Sequence, residues 1–571
     1  VINRIFKYLK QRHRIPALGV LCLIAIYASG QTYLSSRAKL PVFPQEELYM
    51  EVQAPDTVAP AKQTDQSRVI IIKHAKKLDN SSARNPDINV LLDSVILTHA
   101  GASLFADSVY LYEQSNKMEA YNNVRMEQGD TLFLYGDFMD YNGNTSIVKV
   151  RDNVRLENSS VTLYTDSLNY DRNLNMGYYF DGGMLVDEEN ELTSNWGQYE
   201  PDNKRALFRD NVKVVNAKFT LESDSLEYYT ETKIVKIVSP TRIVSDSGVI
   251  HTSNGWYNTV TEESVLLDQS TVYSNQGDKI LRGDSIVYHK GKGYGEVFGN
   301  MFMQDTVRKV ILRGHYGYFN DSTEYAFATD SAYAIEYSEK DSLFLHANIL
   351  ELEKDSIYRV MKAYHEVRFY RRDLQGVCDS MQFNSRDSVL HLFREPVLWH
   401  ESNQISGDTI DVFMNDSTID YIHVKRYSFS IERKDSLMYN QMKGRSMKAY
   451  MANGKIKRIF IDGNAESIYY PEEDDGTVLG LNHMTSGYFE VIFNDETKLE
   501  KMKAWPEPVA KLSPPDLILD SERRLPDFVW LDYLRPKDKM DIFRKVKKRA
   551  EDIKEHKSII PDNFEFPVEF E

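Results

Sequence analysis

Residues Val150 to Tyr170 read VRDNVRLENSSVTLYTDSLNY. Val154 and Leu156 alternate with charged neighbours, a polar turn follows, and Val161 and Leu163 alternate with Thr162 and Tyr164. A period of two gives a strand one buried face and one wet face. The pattern returns along the chain. Strands of Val-x-Leu type are anchored at Val95, Val124, Val154, Met184, Val212, Thr241, Thr271, Met301, Ala332, Val367, Val397, Ser428 and Ala465, and intervals such as 124 to 154 and 367 to 397 are 30 residues. The longer steps, 332 to 367 and 428 to 465, predict longer loops. A fixed period of this length predicts stacked supersecondary units rather than one closed globule.

A second signature lies inside the units. Asp107-Ser108, Asp166-Ser167, Asp224-Ser225, Asp284-Ser285 and Asp379-Ser380 each begin an alternating segment. A serine beside a carboxylate resembles hydrolase chemistry, but adjacent strand residues point to opposite faces, no histidine accompanies each pair, and an enzyme needs one such site rather than a ladder. The pairs read instead as caps of turns preceding strands. Gly291-Lys292-Gly293-Tyr294-Gly295 resembles a phosphate loop with no helix after it, and so reads as a hairpin turn. Histidines are scattered, with no HExxH and no cysteine cluster. The sequence therefore predicts no catalytic residues, no metal and no cofactor.

The flanks carry different signals. Arg4, Lys7, Lys10, Arg12 and Arg14 precede an apolar run, Ile15 to Tyr27, and then Ala28-Ser29-Gly30. This order predicts a signal peptide over 1–30, with an uncleaved anchor as the alternative. Cys22 lies inside the apolar run, leaving Cys378 alone in a cleaved chain with no disulfide partner. Residues 31–67, with Pro41, Pro44, Pro55 and Pro60, read as a flexible linker. Repeats occupy 68–500, and 501–571 forms a Pro-rich extension in which Lys537 to Lys557, with Met540, Phe543, Val546, Ala550 and Ile553 on one face, predicts a helix packed against the sheet. Net charge is −16 with no basic stripe in the repeats, which argues against nucleic acid.

The units from Ala106 to Tyr141, ADSVYLYEQSNKMEAYNNVRMEQGDTLFLYGDFMDY, and from Val150 to Tyr170 together resemble the OstA/LptA family of periplasmic lipopolysaccharide-transport proteins. Each motif is degenerate alone and more specific as a series, from Val95 to about Met301, with weaker units to Ala465. The resemblance implies an all-β, elongated open β-jellyroll of stacked antiparallel repeats with an apolar interior. It also implies a role carrying or bridging lipopolysaccharide, through its acyl chains, between the inner and outer membranes of a Gram-negative bacterium. The implied partners are other jellyroll transport proteins at both membranes and further copies of the chain end to end. No catalytic residues come with the family.

By alternation, Val154, Leu156, Val161, Leu163, Phe219, Leu221, Leu226 and Tyr228 are the candidate groove residues, with Thr220 and Glu227 facing solvent. Inner faces kept in register would form a continuous greasy path needing no chemistry. Thirteen repeats at one rung each predict a body roughly 60 Å long. Three other readings remain: an inner-membrane-anchored jellyroll of the same system, an envelope scaffold with a filled interior, and a parallel β-helix that binds polysaccharide. The turns Asn142-Gly143 and Asp181-Gly182 favour antiparallel connections over the last.

Overall fold

The strand Ile147–Asn158 shows how the chain is built. Its two halves pair normally with Val161–Asp171, but Asp152 and Asn153 adopt φ of 60° and 53° and together oppose one partner residue. Two left-handed residues in mid-strand bend it sharply. Residues before the bend then belong to one ladder of strands, and residues after it to a second ladder that folds back to face the first. The bend recurs at Asp93-Ser94, Asn122-Asn123, Asp210-Asn211, Asp268-Gln269, His365-Glu366 and others, so the bends stack into one continuous corner. Asn153 Nδ2 donates to Asp137 Oδ2 at 2.6 Å and Asn123 Nδ2 to Asp107 Oδ2 at 2.8 Å across it. Asn and Asp tolerate this conformation better than most residues.

The Asp-Ser pairs are therefore not caps of turns before strands. Asp107, Asp166, Asp224, Asp284 and Asp379 all sit in mid-strand, and at this corner Asp284 Oδ2 accepts from Asn300 Nδ2 at 2.8 Å. Asp181-Gly182 is likewise a corner, joining Met176–Tyr179 and Gly183–Val186, which pair with the two halves of Val161–Asp171, whereas Asn142-Gly143 does open a hairpin turn. Lys290 to Gly293 forms the expected hairpin link, with His289 paired to Tyr294.

The computed structural model describes residues 69–549 and Asp552, apart from 81–87, 160, 275, 321, 338–341, 356–357, 416–417, 474 and 497. The signal-peptide and linker expectations lie outside these. Forty strands are described and every pairing among them is antiparallel, which rules out the parallel β-helix. One ladder starts at Ile71–His74 and ends at Val509–Ser513; the other starts at Lys77–Asp79 and ends at Leu499–Trp505. The ladders thus run past residue 500. Each repeat crosses the corner, turns, and crosses back, so it contributes two rungs to each ladder rather than one. At about 4.8 Å per step the ladder contour is roughly 130 Å, about double the expectation from one rung per repeat.

The expected C-terminal helix is absent among the described residues. From Pro514 the chain is an extended strap with only short 3₁₀ turns, such as Asp532–Leu534 and Asp541–Phe543, laid on the outer face of one ladder. Two buried glutamines hold it. Gln404 Nε2 donates to Val529 O at 2.8 Å while its Oε1 accepts from Leu531 N at 2.7 Å, and Gln441 repeats this with Arg523 O and Leu525 N, both at 2.8 Å. Arg368 donates to Leu534 O at 3.0 Å. Inside the expected helix, Asp541 O accepts from Arg368 at 3.5 Å and Arg549 N donates to Tyr533 Oη at 3.0 Å, bonds that use backbone groups a helix would need internally. Leu531 and Leu534 pack on Val397 and Trp399, and Phe543 packs edge-on against Tyr333. On the expected helix face Met540 is exposed, Phe543 and Val546 are only partly buried, and the residue that is fully buried, Ile542, lies off that face.

If the corner depends on left-handed backbone, Asn153→Val should destabilise by about 1–3 kcal/mol, combining αL strain with the lost Asp137 hydrogen bond, whereas Asn153→Gly should lose only the bond. Urea midpoints at constant m-value measure both. Equal losses would show that the bend imposes no backbone strain.

Candidate functional site

The two ladders enclose an interior whose character changes along the chain. From Ile70 to Tyr257 it is one sealed apolar cluster. All eight candidate groove residues, Val154, Leu156, Val161, Leu163, Phe219, Leu221, Leu226 and Tyr228, point into it, and none is more than 4% exposed. Thr220 and Glu227 lie on the opposite face, half-buried, with Glu227 3.5 Å from Lys236. A gap beside Leu97, Met118 and Met126 measures about 10 Å³, room for one water at most.

Polar side chains close the mouth of this half, on the side away from the corner. His99 Nδ1 lies 2.6 Å from Tyr141 Oη, and Arg172 reaches across to Tyr141 Oη at 2.9 Å, Ala100 O at 3.0 Å and Gln128 at 3.0 Å. A stronger latch centres on Asp187, whose side chain is fully buried. It accepts from Tyr228 Oη, from Lys233 Nζ at 2.9 Å and from the backbone N–H groups of Glu189 and Asn190 at 2.9 and 2.8 Å, and Asn190 Nδ2 bonds Thr259 Oγ1 at 3.1 Å. Burial alone would raise the Asp187 pKa; the hydrogen bonds from Tyr228, Glu189, Lys233 and Asn190 outweigh it and hold the pKa below the ordinary value. Burial, with Asp187 adding to it, pushes the Tyr228 phenol upward. Lys218 Nζ closes the next stretch, reaching Val260 O at 3.3 Å.

Beyond Ile250 a second cluster begins and the mouth changes. At the positions nearest the mouth, Val272, Leu281, Met303 and Leu343 on one ladder, and Phe319, Leu352, Met361, Phe383 and Met414 on the other, are only partly buried. Their counterparts in the first half, such as Val161, Phe219 and Tyr228, are sealed. The accessible apolar surface therefore lies in the half that holds none of the sequence candidates. Its signal in the sequence is the substitution of Met for Val and Leu at inner positions. Methionine is flexible and polarizable and adapts to irregular apolar partners.

Chemistry is sparse elsewhere. Among the described residues no group of three His, Cys, Asp or Glu side chains is placed to hold a metal. Cys378 is buried, and burial pushes its thiol pKa well up, away from the reactive thiolate. A cleft of about 710 Å³ on the outer side of the bend is lined by Lys213, Glu222, Arg242 and His251, with Arg242 and Glu222 3.7 Å apart.

Residues 67–224 match the family model described as OstA-like protein. This stretch is OstA-like. It lies almost wholly within the latched half, and the open half lies beyond it. No curated protein matches the chain. Among solved structures, the chain is similar to LptH of Pseudomonas aeruginosa, described as the LptA-homologous periplasmic component of the conserved lipopolysaccharide transport device, with 18% identity over 18% of this chain and 79% of that one and a TM-score of 0.17.

Asp187→Asn should destabilise the protein by roughly 2–3 kcal/mol, the low side of breaking a buried ion pair because Lys233 keeps some access to water. The pKa is depressed in the folded state, so the carboxylate's contribution is fully present above the unfolded value near 3.8 and is lost as pH falls through the lower folded value. Thermal melts should show a constant difference between wild type and variant at neutral pH that disappears in acid. A difference that persists unchanged in acid would mean the latch is not ionic.

Proposed function

We propose that this chain binds the acyl chains of a lipid in its open half and passes them toward the latched half, as a periplasmic component that carries or bridges lipopolysaccharide between membranes. The observation that carries the reading is the row of partly exposed Leu, Met and Phe side chains on the two facing inner surfaces beyond Ile250. Apolar surface left accessible between two sheets gains about 25 cal/mol for each Å² a ligand covers, and a lipid chain of variable length needs continuity rather than a shaped pocket. The OstA-like character of 67–224 supports the lipopolysaccharide assignment. In this reading Val154, Leu156, Val161, Leu163, Phe219, Leu221, Leu226 and Tyr228 contact acyl chains only after the latches at Asp187 and Arg172 release. Acyl chains lie inside and anionic head groups stay in water, consistent with a chain of net charge −16. The end strands of each ladder carry unpaired edges to which a further jellyroll could add.

A photo-crosslinking side chain at position 361 or 414 should capture lipopolysaccharide in living cells, one at 221 should capture little, and Asp187→Asn should raise the yield at 221. Equal labelling at 221 and 361 in the unmodified background would reject the latched half. Absence of labelling at every inner position, with the fold intact, would leave the filled scaffold as the better account.

A further inference from the structure

The open half ends at its mouth in charge. Along Ile349–Asp355 the inner face carries Leu350, Leu352 and then Lys354. The neighbouring strand Tyr358–Tyr370 brings Arg359, Met361 and Ala363 to that face, with Leu352 opposite Met361 and Lys354 opposite Arg359. Across the mouth, Leu281 stands opposite Met303, and one step outward Lys279 stands opposite Asp305. On both sides an apolar pair is followed by a charged one. The Lys354/Arg359 pair is like-charged, and like charges directly opposite in an antiparallel ladder repel.

The carboxylates nearby relieve this only on the Lys354 side. Asp305 holds Arg308 at 3.0 Å, Glu324 holds Lys354 and, at 3.6 Å, Arg308, and Asp278 accepts from the Ser274 hydroxyl. Arg308 belongs to the hairpin after Asp305 on one side of the mouth, and Glu324 to the hairpin before Tyr325 on the other, so their contact draws both sides to one place. Arg359 has no carboxylate within 4.0 Å among the described residues. Partial desolvation and the neighbouring Arg308 charge push its pKa down, with the more distant Asp305 and Glu324 acting against them.

We propose that this rim is a subsite for the phosphate group of an acylated amphiphile, whose chain lies over Leu281, Met303, Leu352 and Met361 while its phosphate sits between Arg359, Lys354 and Arg308. The proposal rests on the reading that the open half binds acyl chains. A phosphate monoester supplies the contacting anion that Arg359 lacks, and an arginine fork binds two of its oxygens at once. A carboxylate headgroup offers half the charge and fewer acceptors. A cation left without a contacting carboxylate beside an apolar surface is a local arrangement that a ligand can complete.

The test compares two single-chain ligands of equal length, lauroyl lysophosphatidic acid and 1-lauroylglycerol, bound to the full-length protein below their aggregation thresholds and followed by calorimetry. Arg359 is exposed, so Arg359→Ala should leave the fold, checked by circular dichroism, unchanged. Binding of the lysophosphatidate should weaken about tenfold, as expected for one charge-assisted contact, while that of the glycerol ester changes by less than about twofold. Equal weakening of both, or wild-type affinity no greater for the phosphate ligand, would overturn the subsite while leaving the groove in place. Inorganic phosphate binding as tightly as the lysophosphatidate would make this a free-anion site and equally reject the amphiphile. If neither lipid binds wild type, the acyl-chain reading fails and the subsite with it.

Discussion

Two residues held at positive φ in the middle of a strand are the constraint from which the rest of this structure follows. Without that bend a strand of twelve residues such as Ile147–Asn158 would extend one flat sheet, with one face to bury and nothing to bury it against. With it, each strand contributes to two facing ladders, and the apolar residues on either side of the bend meet each other. Val154 and Leu156 after the bend join Val148 and Val150 before it in a single core. Stacking the bends in register also aligns the Asn-to-Asp hydrogen bonds along the corner, so each repeat helps to place the next.

Given that corner, the mouth is the one direction in which the interior can differ from place to place. In the first half it is closed by ionic and hydroxyl contacts that join residues far apart in sequence, Asp187 to Tyr228 and Arg172 to Tyr141. In the second half methionines and phenylalanines take the corresponding inner positions and remain partly accessible. The same backbone thus holds a rigid filled segment and an adaptable open one, and the difference lies in a few side chains per rung rather than in the fold. Charge at the rim, where Lys354 faces Arg359, belongs to the open segment.

Much of this was legible in the sequence, because a strict period of two within units and of about 30 between them leaves few alternatives to stacked strands. Alternation alone also placed Leu221 and Tyr228 inward. Other features were not legible. The Asp-Ser pairs looked like turn caps because the same residue types serve turns and bends, and only the pairing shows that Asp107 lies mid-strand. Counting one rung per repeat missed the return strand, whose alternation is equally regular but lacks the Val anchor. Latches such as Asp187 with Lys233 join residues 46 apart, where no local pattern reports contact. The candidate groove residues were chosen where alternation was strongest, and strong alternation of large aliphatic residues is also what packs an interior shut. Periodicity in Met540, Phe543 and Val546 suggested a helix because no local signal showed that Arg368 and Tyr533 would take up backbone groups of Asp541 and Arg549.

The strap gives the molecule a directional mechanical response. Most strand pairings join segments close in sequence, but the glutamine clamps join residues 125 and 82 apart. A pull on the C-terminal end therefore meets the side-chain amides one after another, each pair of hydrogen bonds yielding in turn like a zip fastener. Tension along the ladders instead meets whole rungs loaded together in shear. The face bearing Val397 and Trp399 is uncovered as the first clamp, Gln404, yields, while the Gln441 clamp still holds the rest of the strap to the sheet.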